Sequence, residues 1–463
     1  MDIQDVLQWT DAQILAKTGK HLDSLQRCTL EQVWEGHKYP EIAKACKRSE
    51  DHIKQVAREL WKLLSDILGE KVNKSNFRST MERYEISKVS NFGDFNFVQN
   101  KGNIHVCPDT LHHKQNSPPP QTPNENNTQQ KLDLRDAPEL RTFYDRPSFP
   151  LTALETWILE QNCRLLTITG MAGTGKSAIA RHLIPQIQTQ FDRIIWRSLR
   201  TSPPRETTLK NLIQFLSDRT DINFPANPDA QLSILIETLR ENRCLIILDD
   251  VQQILSSGQL AGHYKPGYEN YGTLFKLIGE IPHHSCLILN SWEPPSDIIT
   301  FTDDNSAVCL LQLTGLGEAA TEILREKGLL DEEHWPELIN LYQGNPLWLK
   351  LVAQTINNLF SGRVSQYLSY QPVFLSDELT PILQQHYQRL SEIEKQAISQ
   401  LSNEIEPVSF TQWMAKSQGS QGELCKAIQS LARRGMLEKL SCEAETVFTI
   451  PPVLKQYVKM VAE

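Results

Sequence analysis

Eight consecutive residues set the first chemical constraint. Gly170-Met171-Ala172-Gly173-Thr174-Gly175-Lys176-Ser177 spells G-x-x-x-x-G-K-S, preceded by the apolar run Leu165, Leu166 and Ile168 and followed by helix formers from Ala178 to Ile184, before Pro185 interrupts. Glycines at these places let successive backbone N–H groups turn toward one anion. The N-terminus of the helix that follows adds the positive end of its dipole. The cradle would run from Gly170 through Ala178, with Lys176 reaching the outer phosphates and the Ser177 hydroxyl binding Mg2+. Farther along, Cys244-Leu245-Ile246-Ile247-Leu248 ends in Asp249-Asp250. Asp249 would organise the Mg2+ shell, and Asp250 would orient or deprotonate an attacking water. Lys176, Asp249 and Asp250 are therefore the candidate catalytic residues.

Bringing these groups together requires alternating strands and helices around a parallel sheet. Arg193–Trp196 reads as a short buried strand, Thr208–Ser217 and Gln231–Arg240 as helices, and Cys244–Leu248 as a continuously apolar central strand. Carboxylates at the end of such a strand face the crevice where open α/β sheets bind ligands. Cys286–Asn290 reads as a further strand leading to Ser291-Trp292-Glu293-Pro294.

The chain has 463 residues, too many for one core, and suggests about three domains. Its formal charge of −9 and pI near 5.8 exclude a surface that coats nucleic acid or anionic membrane as a whole. The nine cysteines are scattered without a C-x-x-C pair, which reads as thiols in a reducing compartment rather than a disulfide framework. The N-terminus, MDIQDVLQWTDAQ, lacks an apolar signal region, and no apolar run reaches bilayer length. The expectation is a soluble cytoplasmic protein with no membrane partner.

The first 84 residues read as small helices. Thr29 opens one that ends at Gly36, Tyr39-Pro40 opens a second, and Ser49 caps a third with Glu50 and Asp51 in its first turn. In that third helix Ile53, Val56, Ala57, Leu60, Leu63, Leu64 and Ile67 follow a 3.6-residue period, and Gly69 stops it. Helix, tight turn, helix is the layout of a helix-turn-helix. If it reads DNA, His52, Gln55, Arg58 and Lys62 face the groove, with Lys47, Arg48, Lys71 and Lys74 toward phosphates. If it binds protein instead, the same charges are a solvated face, and Glu50, Asp51 and Glu59 favour that alternative. From 85 to 138 periodicity is lost around Asn116-Ser117-Pro118-Pro119-Pro120, which reads as a flexible tether. Cys107, His112 and His113 there lack a fourth metal ligand, and His283, His284 and Cys286 straddle a strand start, which suits core and loop roles.

Four blocks, FDRIIWRSLRTSPP, LDDVQQIL, CLILNSWEPP and GNPLWLKL, occur in this order after the phosphate loop. Together they resemble an NB-ARC domain of the STAND class of signal-transduction ATPases, over the stretch from about Asp136 onward. The N-terminal stretch resembles helix-turn-helix modules of bacterial signalling proteins. The resemblance implies a multidomain α/β fold. A small all-α helix-turn-helix domain (1–84) and the linker (85–138) would precede a P-loop nucleotide-binding domain (139–312), a helical subdomain (313–375) and a winged helix (376–463). It implies ADP or ATP with Mg2+ as ligands, Pro346 beside adenine, and Arg146 of Tyr144-Asp145-Arg146 lining the base. Leu390–Leu401, a helix begun at Val408-Ser409-Phe410, and Glu423–Arg434 would be the winged-helix helices, with Met436–Leu440 and Thr446–Ile450 as the wing. Three places depart from the family: Trp292 stands for an arginine at the end of the sensor strand, Pro451-Pro452-Val453 for Met-His-Asp, and the upstream Gly-Arg motif reads Tyr144-Asp145-Arg146, keeping Arg146 but not the glycine.

The expected function is a switch in which nucleotide exchange and slow ATP hydrolysis control self-association and the N-terminal effector. No internal repeat is visible, so the sensor would be absent or a separate protein. Two other readings stay open: an ATP-responsive DNA-binding transcription regulator, and a non-hydrolysing scaffold that keeps ADP.

Overall fold

The structure, a computed structural model, describes residues 24–34, 37–46, 48–68, 72–74, 130–140, 142–144, 149–217, 225, 227–302, 307–370, 375–417, 419–442 and 445–462, with isolated positions at 7, 10, 14, 22 and 77. The chain divides into two compact units, Met1–Pro118 and Pro119–Glu463.

In the first unit three helices, Ser24–Trp34, Tyr39–Ala45 and Glu50–Leu68, enclose a core of Leu30, Trp34, Ile42, Ile53, Ala57, Leu60, Leu64 and Phe77. The third helix follows its sequence pattern: Ile53, Ala57, Leu60 and Leu64 are buried while His52, Gln55, Arg58 and Lys62 are exposed. Thr29 does not cap. It lies inside the first helix, and its hydroxyl donates to the Leu25 carbonyl at 2.7 Å. Cys28 and Cys46 are joined as a disulfide between the first helix and the end of the second, which corrects the expectation of free thiols at these two positions. Gly69, Lys47 and Lys71 lie outside the described residues, as do Cys107, His112 and His113. Lys74 sits over the Tyr39 ring, 4.7 Å from its centroid.

The second unit is built on a six-stranded, all-parallel sheet in the order β1-β3-β4-β5-β2-β6. Its strands are β1 (Lys131–Asp133), β2 (Leu165–Thr169), β3 (Arg193–Ser198), β4 (Cys244–Asp249), β5 (Cys286–Ser291) and β6 (Val308–Gln312). Every residue of β2, β4 and β5 is buried, which is why these runs are apolar without alternation. β5 lies between β2, which carries the phosphate loop, and β4, which carries the acids. The stretch read as a tether to residue 138 includes β1, which pairs with β3 and is tied to it by the Arg197–Asp133 ion pair at 2.6 Å. Pro185 does not end its helix, which runs from Lys176 to Ile187 with the proline inside.

Beyond β6 a helical layer and a small three-stranded sheet share one apolar core, from Leu316 through Val458, which also takes in Tyr144 and Met171. Its helices include Pro346–Phe360, Thr380–Gln388, Glu392–Asn403, Phe410–Lys416 and Gln421–Arg433. Three of them begin with a reciprocal capping box, Ser391 with Glu394, Ser409 with Gln412 and Ser420 with Glu423. Each such cap is worth roughly 1 kcal/mol and fixes where a helix starts. The small sheet pairs β7 (Val408–Ser409), β9 (Glu445–Thr449) and β8 (Glu438–Cys442) antiparallel, in that spatial order. Val408-Ser409 is thus a strand that leads into a helix at Phe410.

Candidate nucleotide-binding site

The phosphate loop turns between β2 and the helix Lys176–Ile187, and two of its glycines explain the sequence requirement. Gly175, at the helix N-cap, has φ of 95°, in the left-handed region that side chains resist. A Cβ on Gly173 would come within 2.4 Å of Leu347 Cβ and 2.7 Å of Asn345 Oδ1, so only glycine lets the loop pack against that turn. Asn345 fastens the contact from the other side. Its Nδ2 donates to the Ala172 carbonyl at 3.0 Å while its Oδ1 accepts from the amides of Leu347 and Trp348. Pro346 opens the helix Pro346–Phe360, where its missing N–H costs nothing.

Lys176 is buried, and its Nζ donates to the carbonyls of Gly170 at 2.7 Å and Met171 at 3.0 Å. Burial pulls its pKa down to about 8 against the opposing influence of Asp249, Asp250 and Glu293. The Ser177 hydroxyl donates to Asp249 Oδ1 at 3.0 Å. Asp249 is itself buried at the end of β4, and burial, then the neighbouring Asp250 charge, raises its pKa. Asp250 adopts φ of 60°; its Oδ2 accepts from Ser198 Oγ at 3.0 Å and its Oδ1 from Gln252 Nε2 at 3.1 Å. Arg200 reaches the same carboxylate at 3.4 Å with a side chain that is 79% exposed. Lys176, Ser177 and Asp249 therefore converge, and Asp250 opens the loop beside them.

These residues fit a nucleotide and its metal. A hydroxyl and a carboxylate in hydrogen-bond contact are hard oxygen donors, the kind Mg2+ takes from a protein while keeping waters and phosphate oxygens for its other positions. No cluster of three or more His, Cys, Asp or Glu side chains disposed to hold an ion occurs among the described residues. His283, for its part, is a buried core histidine bonded to the Ile278 carbonyl and the Ser285 amide. Arg146 lies outside the described residues. Its neighbour Tyr144 is buried and donates its phenol to Glu326, beside a cleft of about 400 Å3 lined by Thr142, Phe143, Tyr144, Glu322, Arg325 and Glu326.

Several contacts at the loop are invisible to sequence reasoning. His386, from the helix Thr380–Gln388, accepts the Ala172 N–H on its Nε2 at 3.0 Å, and its ring lies 4.1 Å from that of Trp292. Glu293, 1% exposed, accepts from Arg389 and from Arg434 Nη1 at 3.1 Å, and Arg434 Nε also donates to Glu394 at 2.9 Å. A lone histidine and two arginines in amphipathic helices carry no local signal. In Pro451-Pro452-Val453, Pro452 starts the helix Pro452–Ala462 and Val453 is fully buried.

Comparison with known proteins agrees with this geometry. Residues 150–260 match the NB-ARC domain family, and residues 1–84 match the vWA-MoxR associated protein N-terminal HTH family. An uncharacterized WD repeat-containing protein of Nostoc sp. is 38% identical over 341 residues, which is 70% of this chain and 27% of that protein. A probable disease resistance protein of Arabidopsis thaliana is 34% identical over 110 residues, 23% of this chain and 6% of that one. The chain thus spans about a quarter or less of the length of these relatives. Among solved structures, a STAND protein with a tetratricopeptide repeat sensor from Pyrococcus horikoshii is 19% identical, with a TM-score of 0.36 over 71% of this chain and 44% of that one. Among the described residues no helix is long and apolar enough to cross a membrane. Residues 150–260 thus carry an NB-ARC domain, preceded in sequence by a helix-turn-helix module at residues 1–84.

Proposed function

We propose that the chain is an adenine-nucleotide-controlled switch in signal transduction. ADP would favour a closed arrangement of the nucleotide-binding domain (139–312), helical subdomain (313–375) and winged helix (376–463), and ATP an open form that self-associates. Such a switch works only if the two nucleotides bind the two shapes with different affinity. Residues 1–84 would be the effector, tethered through the stretch 85–138, and a separate protein would supply the trigger. The observation that carries this reading is the Ser177–Asp249 contact beside a buried Lys176.

The roles follow from chemistry. Lys176 would turn its ammonium from the loop carbonyls to the outer phosphates. Bound Mg2+ supplies charge that offsets the phosphates, and Ser177 and Asp249 would hold it. Asp250, fixed by Ser198 and Gln252, would orient water for slow in-line attack on the γ-phosphate. Pro346 and Arg146 would border the adenine. The test is nucleotide content: the purified chain is denatured and the released nucleotide identified, with Lys176→Ala alongside. Stoichiometric ADP in the wild type and its loss in the variant support the reading, and equal nucleotide affinity in both refutes it.

A second reading, a DNA-binding regulator, is favoured by the exposed row His52, Gln55, Arg58 and Lys62 on one helix. Steeply salt-dependent binding of the full chain to duplex DNA, lost in Arg58→Ala with Lys62→Ala, would support it. A third, an ADP-retaining scaffold, is favoured by Trp292 packing on His386. ATP turnover above that of Asp250→Asn rules it out.

A further inference from the structure

Cys28, inside the helix Ser24–Trp34, and Cys46, at the C-cap of the helix Tyr39–Ala45, are joined by a disulfide. Neither is fully buried, and Cys46 packs against the core of the first unit. Cys46 also begins the turn into the helix Glu50–Leu68, on which the helix-turn-helix layout depends. Two backbone bonds shape that turn locally, from the Cys46 N–H to the Ile42 carbonyl and from the Arg48 N–H to the Ala43 carbonyl, both at 2.9 Å. The bridge ties the same turn covalently to the first helix.

The thiols of the second unit behave differently. Cys163 lies in hydrogen-bonding contact with both Cys286 and Cys309, yet all three are free thiols. The bond to Cys286, and then burial, holds the Cys163 thiol well above its usual range, and burial pushes Cys244 up to about 12. Such groups offer little thiolate to a reactant and little access to it. At the bridge both conditions are reversed. Within three residues of either sulfur the described side chains include three exposed cations, Arg27, Lys44 and Arg48, and one carboxylate, Glu31. Glu50, the next acid along the chain, is engaged by Lys54 at 2.7 Å. Cations stabilise a thiolate and draw an anionic thiol toward it. The helix end at Cys46 disfavours negative charge on that sulfur, so Cys28, beside Arg27, is the better leaving group.

We propose that the Cys28–Cys46 bridge is a thiol–disulfide exchange site for a small anionic thiol of the glutathione class, and that its opening frees the turn ahead of the third helix. The thiolate of the small thiol attacks Cys46 Sγ. A new S–S bond forms as the Cys28–Cys46 bond breaks, and Cys28 leaves as a thiolate that takes up a proton. A second small thiolate then attacks the small thiol's sulfur in the mixed disulfide and releases Cys46, which is protonated in turn. Two electrons pass to the protein, and the two small thiols depart as one disulfide. The reverse steps close the bridge, with that disulfide as the oxidant. Once open, the unit keeps its apolar core, but the turn loses its tie to the first helix, and the start of the next helix, with the exposed His52 and Gln55, loses its fixed placement. The chemistry needs no nucleotide and goes beyond the switch proposed above.

The experiment equilibrates the full chain in mixtures of reduced and oxidised glutathione, blocks its thiols and reads them by peptide mass spectrometry. Cys28 and Cys46 should open and reclose together across the ratios that reducing compartments hold, while Cys163, Cys244 and Cys286 stay thiols throughout. Brief exposure should leave glutathione on Cys46 rather than Cys28. Added salt should slow the reaction with glutathione and speed that with cysteamine, a cationic thiol. Amide exchange at 46–53 should be about tenfold faster with the bridge open, and exchange at 165–170 should agree within about twofold between the two forms. The double variant Cys28→Ser with Cys46→Ser should match the open form in every mixture. A bridge that resists glutathione until the unit unfolds, one that never forms in the native chain, or equal exchange at 46–53 in both forms overturns the proposal. Salt effects of the same sign for both thiols overturn its choice of an anionic reactant. Should the double variant fold poorly, the reversible titration of the wild type decides alone.

Discussion

Ser177 Oγ and Asp249 Oδ1 lie 3.0 Å apart, which links the first turn of the helix after β2 to the end of β4 across the intervening strand β5. The contact places a hydroxyl and a buried carboxylate at one point, with Lys176 beside them. Asp249→Asn tests it. The variant should lose the extra stabilisation that Mg2+ gives to ADP-bound protein in thermal unfolding, while the nucleotide-free chain stays within about 1 kcal/mol of wild type, because the substitution removes a buried, partly uncompensated carboxylate.

The ion cluster around Glu293 predicts the opposite balance. Glu293→Ala leaves the buried Arg389 without its carboxylate and Arg434 with Glu394 alone. Breaking a buried pair from one side typically costs about 3–5 kcal/mol. Urea unfolding of the full chain should show that loss as an earlier midpoint for the second unit, and Glu293→Gln, which keeps one acceptor, should lose less.

Acid should unfold this protein partly through two histidines. Burial, then Lys176, Arg389 and Arg434, holds His386 down to about 3, and burial holds His283 down to about 4. The unfolded chain takes up protons near pH 6.5, so as pH falls below that value the unfolded state binds more protons and gains. Their stabilisation is intact above about pH 6.5 and falls away toward pH 3–4, by on the order of 5 kcal/mol at pH 4. Urea midpoints measured between pH 7.5 and 4 should trace that slope, and His386→Phe should flatten it.

Reduction should act on the first unit alone. The Cys28–Cys46 bridge closes a loop of 18 residues, and cross-links of that span contribute about 3 kcal/mol. Amides of the helix Glu50–Leu68 should exchange faster in Cys28→Ser, with no change at β2 or β4. Equal exchange in both proteins would remove any stabilising role for the bridge.

Reading the sequence recovers the parts of this fold that are written locally. The phosphate loop, the acid pair after an apolar run, the 3.6-residue period from Ile53 to Leu64 and the wing strands each depend on residues within about one element. Boundaries miss where local rules compete. Thr29 suits a cap but also bonds back within a helix, and Pro185 is carried by a helix packed on both sides of it. β1 is three residues long, too short to announce itself. The contacts of His386, Arg389 and Arg434 are pairings between distant segments, set by packing rather than by any spacing, and the Asn345 bond to the Ala172 carbonyl likewise joins segments far apart in sequence.

The clamp on Glu293 has a consequence for how this architecture can be recombined. Of its four charges only Glu293 belongs to the α/β half; Arg389, Glu394 and Arg434 belong to the C-terminal half, where Arg434 also pairs with Glu394, so the buried Glu293 draws both its cations from the other half. A chimera that joins this sheet to the C-terminal helices of a relative lacking arginines at the positions of Arg389 and Arg434 would bury a lone carboxylate at the end of β5. Such a hybrid should express as inclusion bodies, and restoring the two arginines should return it to the soluble fraction. The two halves should therefore be exchanged only as a matched pair, even though each looks like a separable module.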